Sequence, residues 1–145
     1  MPVDIRAVLH RVVDDVFDRS VFRREEDDRE APSAYRLRLS SARTLDDQER
    51  HASLAASYEW FEFHVSDLDV GTRRFDYGDD ETEKEAELRN LAYIARAYLQ
   101  GEGRVTYRPS LIRRRPLPTL TIETHGVRWR LGRRTSTEED LENSS

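Results

Sequence analysis

Apolar positions along the chain follow two periods. Between residues 3 and 19, Ile5, Val8, Leu9, Val12, Val16 and Phe17 recur at spacings of three and four, while Asp4, Arg11, Asp14, Asp15 and Asp18 take the other side. That spacing predicts a helix with one apolar stripe, with Asp4 placed to cap its start and Ser20 to end it. The same period returns over 79–100, where Leu88, Leu91, Ala92, Ala95, Tyr98 and Leu99 form the stripe. Asp79 or Asp80 caps this second helix, acids crowd its first turns where the helix dipole favours them, and Gly101 stands where a left-handed C-terminal cap belongs.

Elsewhere the period is two. Tyr35, Leu37 and Leu39 alternate with Arg36 and Arg38, which predicts a half-buried strand. Tyr58 to Val65 is the strongest strand signal: Phe61, Phe63 and Val65 share one face, and Tyr58, Trp60, Glu62 and His64 the other. Gly71 is expected to break that run and 72–77 to return as an antiparallel partner. A short strand follows at Arg104 to Arg108. Thr119 to Leu131 reads as a hairpin turning at His125-Gly126, since both residue types accept a positive φ. In that register Glu123 opposes Arg128 and Ile122 opposes Trp129. Leu120, Ile122, Trp129 and Leu131 then share one face, and Thr121, Glu123, Arg128 and Arg130 the other.

The remaining stretches have weaker periods. Residues 23–33 carry no apolar period and read as a solvated loop or helix extension. Thr44 to Ser57 is assigned a short helix on a sparse apolar face. Pro109, Pro116 and Pro118 bracket Arg113-Arg114-Arg115 in an extended segment. Residues 133–145 read as a polar tail. The elements together predict an α+β fold, with one domain over 1–134 and a disordered polar tail over 135–145. A mainly antiparallel sheet of about five or six strands carries the N-terminal helix and the long central helix on one face.

Charge changes this picture more than composition does. The chain has a formal charge of −5, yet residues 104–134 hold nine arginines and a single acid, Glu123, for +8. Residues 76–87 hold seven acids and one lysine, for −6. Arginine outnumbers lysine 23 to 1, Lys84 being the only lysine. Arginine codons are GC-rich, so a GC-rich genome accounts for that bias throughout the chain, but not for the clustering. The basic block either meets an anionic partner or is neutralised by the protein's own acids, with 76–87 the nearest candidate. There is no cysteine, so disulfides, thiolate catalysis and Cys-based zinc sites are excluded. No apolar run approaches membrane-spanning length, and the opening Met-Pro-Val-Asp-Ile-Arg lacks the pattern of a secretory signal, so a cytoplasmic protein without membrane contact is expected.

Motifs of catalysis are missing. His10, His51, His64 and His125 form no metal-ligand spacing, and no phosphate-binding glycine loop or nucleophile motif occurs. Asp67 to Gly71 starts like a calcium loop, but Thr72 and Gly78 stand where Gly and Glu are required. No metal or cofactor is expected. The leading expectation is a small non-enzymatic binding or regulatory protein. It contacts an anionic macromolecule, nucleic acid or an acidic protein surface, through Arg113, Arg114, Arg115, Arg130, Arg133 and Arg134. A second is a protein-binding accessory factor of immunity or antitoxin type, mobile-element encoded, that uses the acidic segment 76–87. A third is an enzyme built from dispersed residues, with His64, Glu62 and Asp67 as its nearest candidates. The oligomeric state is left open.

Overall fold

The computed structural model describes residues 3–41, 50–108, 117–133 and 136–141. Helix α1 (Ile5–Val16) starts at Asp4, whose side chain accepts the Ala7 N–H at 3.1 Å. Its stripe of Ile5, Val8, Leu9, Val12, Val13 and Val16 is buried. Five strands follow as an antiparallel meander: β1 (Phe22–Asp27), β2 (Tyr35–Ser41), β3 (His51–Ala56), β4 (Trp60–Val65) and β5 (Val70–Phe75). Helix α2 (Glu81–Leu99) leads into a second antiparallel sheet of β6 (Arg104–Arg108), β7 (Leu117–Thr124), β8 (Val127–Leu131) and β9 (Ser136–Asp140). The α+β class, the N-terminal helix and the central helix are as expected, with the strands divided between sheets of five and four. One hydrophobic core runs from Val8 in α1 through Phe61 and Leu91 to Trp129 in β8. Among the described residues, no helix is long and apolar enough to cross a membrane.

Three expectations are overturned. The loop or helix extension over 23–33 gives way, up to Asp27, to edge strand β1, in which Glu25 opposes Arg38 and Asp27 opposes Arg36. Its six residues include five charged ones, so its pairing with β2 is visible only across the sheet, and those charges discourage further pairing at the open edge. The helix over Thr44–Ser57 is replaced, within its described part, by strand β3. Ala52, Leu54 and Ala56 pack inward while Ser53 and Ala55 are buried on the outer side. Alanine's helix preference is overridden because this central position needs small side chains on both faces. Gly71 does not break the strand signal but lies inside β5 opposite His64. A Cβ there would come within 2.3 Å of the Phe63 carbonyl oxygen, so only glycine fits.

The polar stretch after residue 133 also contributes structure, since Ser136–Asp140 pairs with β8 from Leu131↔Ser136 to Val127↔Asp140. The hairpin register is the one derived from alternation, including Glu123↔Arg128 and Ile122↔Trp129. His125 at φ 51 and Gly126 at φ 76 form its turn.

Helix α2 holds the two sheets together. Asp80 caps it by accepting the Thr82 N–H at 2.9 Å, and Gly101 at φ +92 closes it with its N–H on the Tyr98 carbonyl. The helix packs on α1, on the inner faces of β3 and β4, and on β7. Lys84, in its first turns, is fully buried. Its ammonium donates to the carbonyl oxygens of Tyr58 and Asp76, both at 2.7 Å, and reaches the Asp76 carboxylate at 3.5 Å. The Tyr58 ring lies 4.6 Å from the same nitrogen. Removing the ammonium orphans two buried carbonyls at once. Lys84→Met is therefore expected to lower the unfolding free energy by about 3 kcal/mol in urea denaturation. Lys84→Arg is also expected to destabilise, because three acceptors gathered around one nitrogen do not match a planar five-donor fork.

Candidate anion-binding face

The pleat of the second sheet sorts its side chains. Leu120, Ile122, Trp129 and Leu131 point inward and are buried. Thr119, Thr121, Glu123, Arg128 and Arg130 point the other way, and the register assembles them into rows. One row runs Glu123, Arg128, Glu139. The Arg128 guanidinium donates to Glu123 at 2.9 Å and to Glu139 at 3.3 Å, and the Glu123 hydrogen bond raises its pKa further. The next row runs Arg104, Thr121, Arg130, Thr137 and contains no acid. Beyond it Thr106 opposes Thr119.

Arg104 and Arg130 therefore differ from most of the protein's arginines. Both are exposed, and neither side chain makes a hydrogen bond or ion pair with another described residue. Their backbones stand two strands apart, roughly 10 Å, with the Thr121 hydroxyl between them. They line a cleft of about 570 Å³ together with Thr106, Thr119, Thr121 and Thr137. Guanidinium forks and hydroxyl donors suit a phosphate or carboxylate group. The carboxylate at the rim, Glu123, is engaged by Arg128. The cleft can bind an anion, but it brings no free base or nucleophile beyond threonine.

Of the arginines singled out in the sequence, Arg130 occupies this row. Arg133 does not stand free, since its Nε lies 2.9 Å from the Asp69 carboxylate. Arg113, Arg114, Arg115 and Arg134 lie outside the described residues. Arg104, absent from that group, is brought beside Arg130 by the β6–β7 pairing. Apart from Glu83, the acids of 76–87 are engaged elsewhere. Glu85 binds Arg11 at 2.6 Å and Arg89 at 3.4 Å, Glu87 binds Arg74 at 3.3 Å, and Asp79 accepts the Tyr58 hydroxyl at 2.6 Å. Among the described residues, none of these partners comes from the basic block.

Most arginines of the first sheet are bonded to carboxylates of the protein. On the sheet's outer face, Arg36 reaches across the small Ala55 position to Glu62 at 3.1 Å, and Arg73, directly opposite Glu62, binds it at 2.7 Å. Burial pushes the Glu62 carboxyl up, yet Arg73 and Arg36 together bring it below its ordinary pKa. Asp27, at the end of β1, is held well below the carboxylate range by the Arg29 side chain and backbone N–H. His64 shares this face, but its carboxylate partner is Asp69 at 3.2 Å and not Asp67. The polar groups lining the cleft beside it, about 340 Å³, are already engaged: Glu62 with Arg73, Thr72 with Ser136 at 2.7 Å, and Arg133 with Asp69. No cluster of three or more metal-ligating side chains occurs among the described residues.

With this geometry the protein is an α+β protein of two edge-joined antiparallel sheets around a shared helix. No protein-family model, no curated protein and no solved structure matches the chain.

The paired carboxylates set an acid limit. Asp14, Asp27, Glu62 and Glu85 all titrate lower than their ordinary values. Their stabilisation is complete above the unfolded-state carboxylate pKa of about 4 and is lost progressively as pH falls below it. The urea midpoint should therefore decline from there downwards. Asp27→Asn should lower the midpoint at neutral pH, and the gap to the wild type should close as pH falls below about 4.

Proposed function

We propose that this is a binding protein without a catalytic role, which engages the phosphate backbone of a nucleic acid through the outer face of its second sheet. The observation that carries this reading is the acid-free row of Arg104, Thr121, Arg130 and Thr137. Two unpaired guanidinium groups flank a hydroxyl in an open cleft, whereas the other described arginines are largely bonded to the protein's own carboxylates. The sequence supports it further, because the segment joining β6 to β7 carries Arg113, Arg114 and Arg115.

The contact is to backbone and not to bases. Trp129 is buried and faces the core, and Tyr107 alternates with the outward Thr106 and so leaves that face. No aromatic ring is on offer beside the arginines for stacking. Binding is then electrostatic, steeply salt-dependent and weakly selective for sequence. The rest of the chain, being acidic, repels the polyanion and confines it to this face. A cytoplasmic place goes with such a partner.

Fluorescence anisotropy with duplex and single-stranded DNA and RNA over a salt series tests the reading. Binding is expected at low salt, and Arg104→Gln with Arg130→Gln should reduce the log–log salt slope by about 2. No binding at low salt to any of the four, or an unchanged isotherm in the double variant, would remove the proposal.

A further inference from the structure

Strands β4 and β5 end together at the pair Trp60↔Phe75, after which the chain turns through Asp76, Tyr77 and Gly78 into α2. Two large rings remain outside the core at this corner. Phe75 is 57% exposed and Tyr77 is 70% exposed, and they stack on each other with centroids 6.0 Å apart and planes 16° from parallel. Beside them the Arg73 guanidinium covers the Trp60 ring at 4.2 Å. The four exposed large hydrophobic side chains among the described residues are Val21, Phe75, Tyr77 and Tyr107. Two of these four meet here, forming a flat aromatic patch in water.

The charge around this patch selects its occupant. Glu59, Asp79, Asp80, Glu81 and Glu83 are exposed around the same turn and helix start. Glu59 and Glu83 make no side-chain hydrogen bond or ion pair with a described residue. The nearby bases are already engaged, Arg73 by Glu62 and Lys84 by Asp76. Aromatic ring faces carry negative potential, and unpaired carboxylates add to it, so the site attracts guanidinium or ammonium groups and repels phosphate. A base stacking on these rings would bring its own phosphate against the carboxylates.

We propose that the Phe75–Tyr77 stack is a docking site for a cationic segment of a partner polypeptide, whose Arg or Lys side chain lies on the rings and is drawn there by the unpaired carboxylates of the neighbouring turn and helix start. This surface belongs to the first sheet and is independent of the arginine row on the second. It makes the protein a two-sided binder, with one face for a polyanion and another for a basic polypeptide.

Fluorescein-labelled octa-arginine is the probe, titrated against the full chain by anisotropy. Labelled octaglutamate and a single-stranded oligonucleotide serve as comparisons. Phe75→Ser with Tyr77→Ser leaves the net charge unchanged, so attraction by charge alone would not move. Loss of both rings is expected to weaken octa-arginine binding about tenfold. Tyr77→Phe keeps the ring and should keep the affinity, while Glu59→Gln with Glu83→Gln should weaken it. Arg104→Gln with Arg130→Gln should not weaken it, which separates this test from that of the second sheet. Thermal melts show whether the ring-less variant folds as the wild type does. Wild-type affinity in that folded variant, or no binding of octa-arginine by the wild type, would overturn the proposal. So would oligonucleotide binding that disappears with the rings. If the double variant does not fold, Phe75→Ser and Tyr77→Ser singly carry the same test, and unchanged affinity in both would overturn it.

Discussion

The buried ammonium of Lys84 is the interaction on which the architecture turns. It draws together the turn leading into β4, the residue after β5 and the first turns of α2, through the carbonyls of Tyr58 and Asp76. An ammonium in a dry site is tolerable only when its donors are all used, and here two carbonyls and a carboxylate surround it. In a chain that otherwise relies on arginine, the one lysine stands where a compact, three-donor cation fits and a planar guanidinium does not. Fixing the start of α2 fixes the direction in which Leu88, Leu91, Ala92 and Ile94 are presented, and those residues fill the core on which the sheets close.

The sheets also meet directly, edge against edge. Gly71 of β5 donates its N–H to the Gly132 carbonyl at 3.3 Å, and Thr72 and Ser136 share a hydrogen bond at 2.7 Å. Arg74 bridges Glu87 of α2 and Glu138 of β9, both at 3.3 Å, while its guanidinium lies 5.6 Å from the Trp129 ring centroid. The seam therefore consumes its own polar groups. The central helix covers the inner faces and leaves exposed the outer face on which Arg104 and Arg130 stand unpaired.

What could be read from the sequence follows from where each element gets its stability. The hairpin was legible to the residue, because a two-residue turn and strict alternation allow one register that buries Leu120, Ile122, Trp129 and Leu131 together. Helix α2 was legible from its cap and stripe. Strands β1, β3 and β9 were not, for one shared reason: each is defined by its neighbours. Phe22–Asp27 is a charged edge, His51–Ala56 a row of small residues under arginine arms, and Ser136–Asp140 a polar strand that places Glu139 against Arg128. The arginine row depends on the same kind of information. Arg104 joins Arg130 only when β6 is laid against β7, and Arg133 turns out to bind Asp69, a residue 64 positions earlier.

Arg128 and Arg130 show why a count of charges was not enough. They stand two residues apart on one strand and project from one face, so composition and period treat them alike. Their cross-strand neighbours separate them. Arg128 lies between Glu123 and Glu139 and is neutralised where it stands, whereas Arg130 lies between Thr121 and Thr137, whose hydroxyls leave its charge intact. A cation set among carboxylates holds the sheet together, and one set among hydroxyls is available to a ligand that those hydroxyls can also hydrogen-bond. The formal +8 of the block thus resolves, among its described residues, into arginines that serve the fold and a pair, Arg104 and Arg130, that the fold does not use.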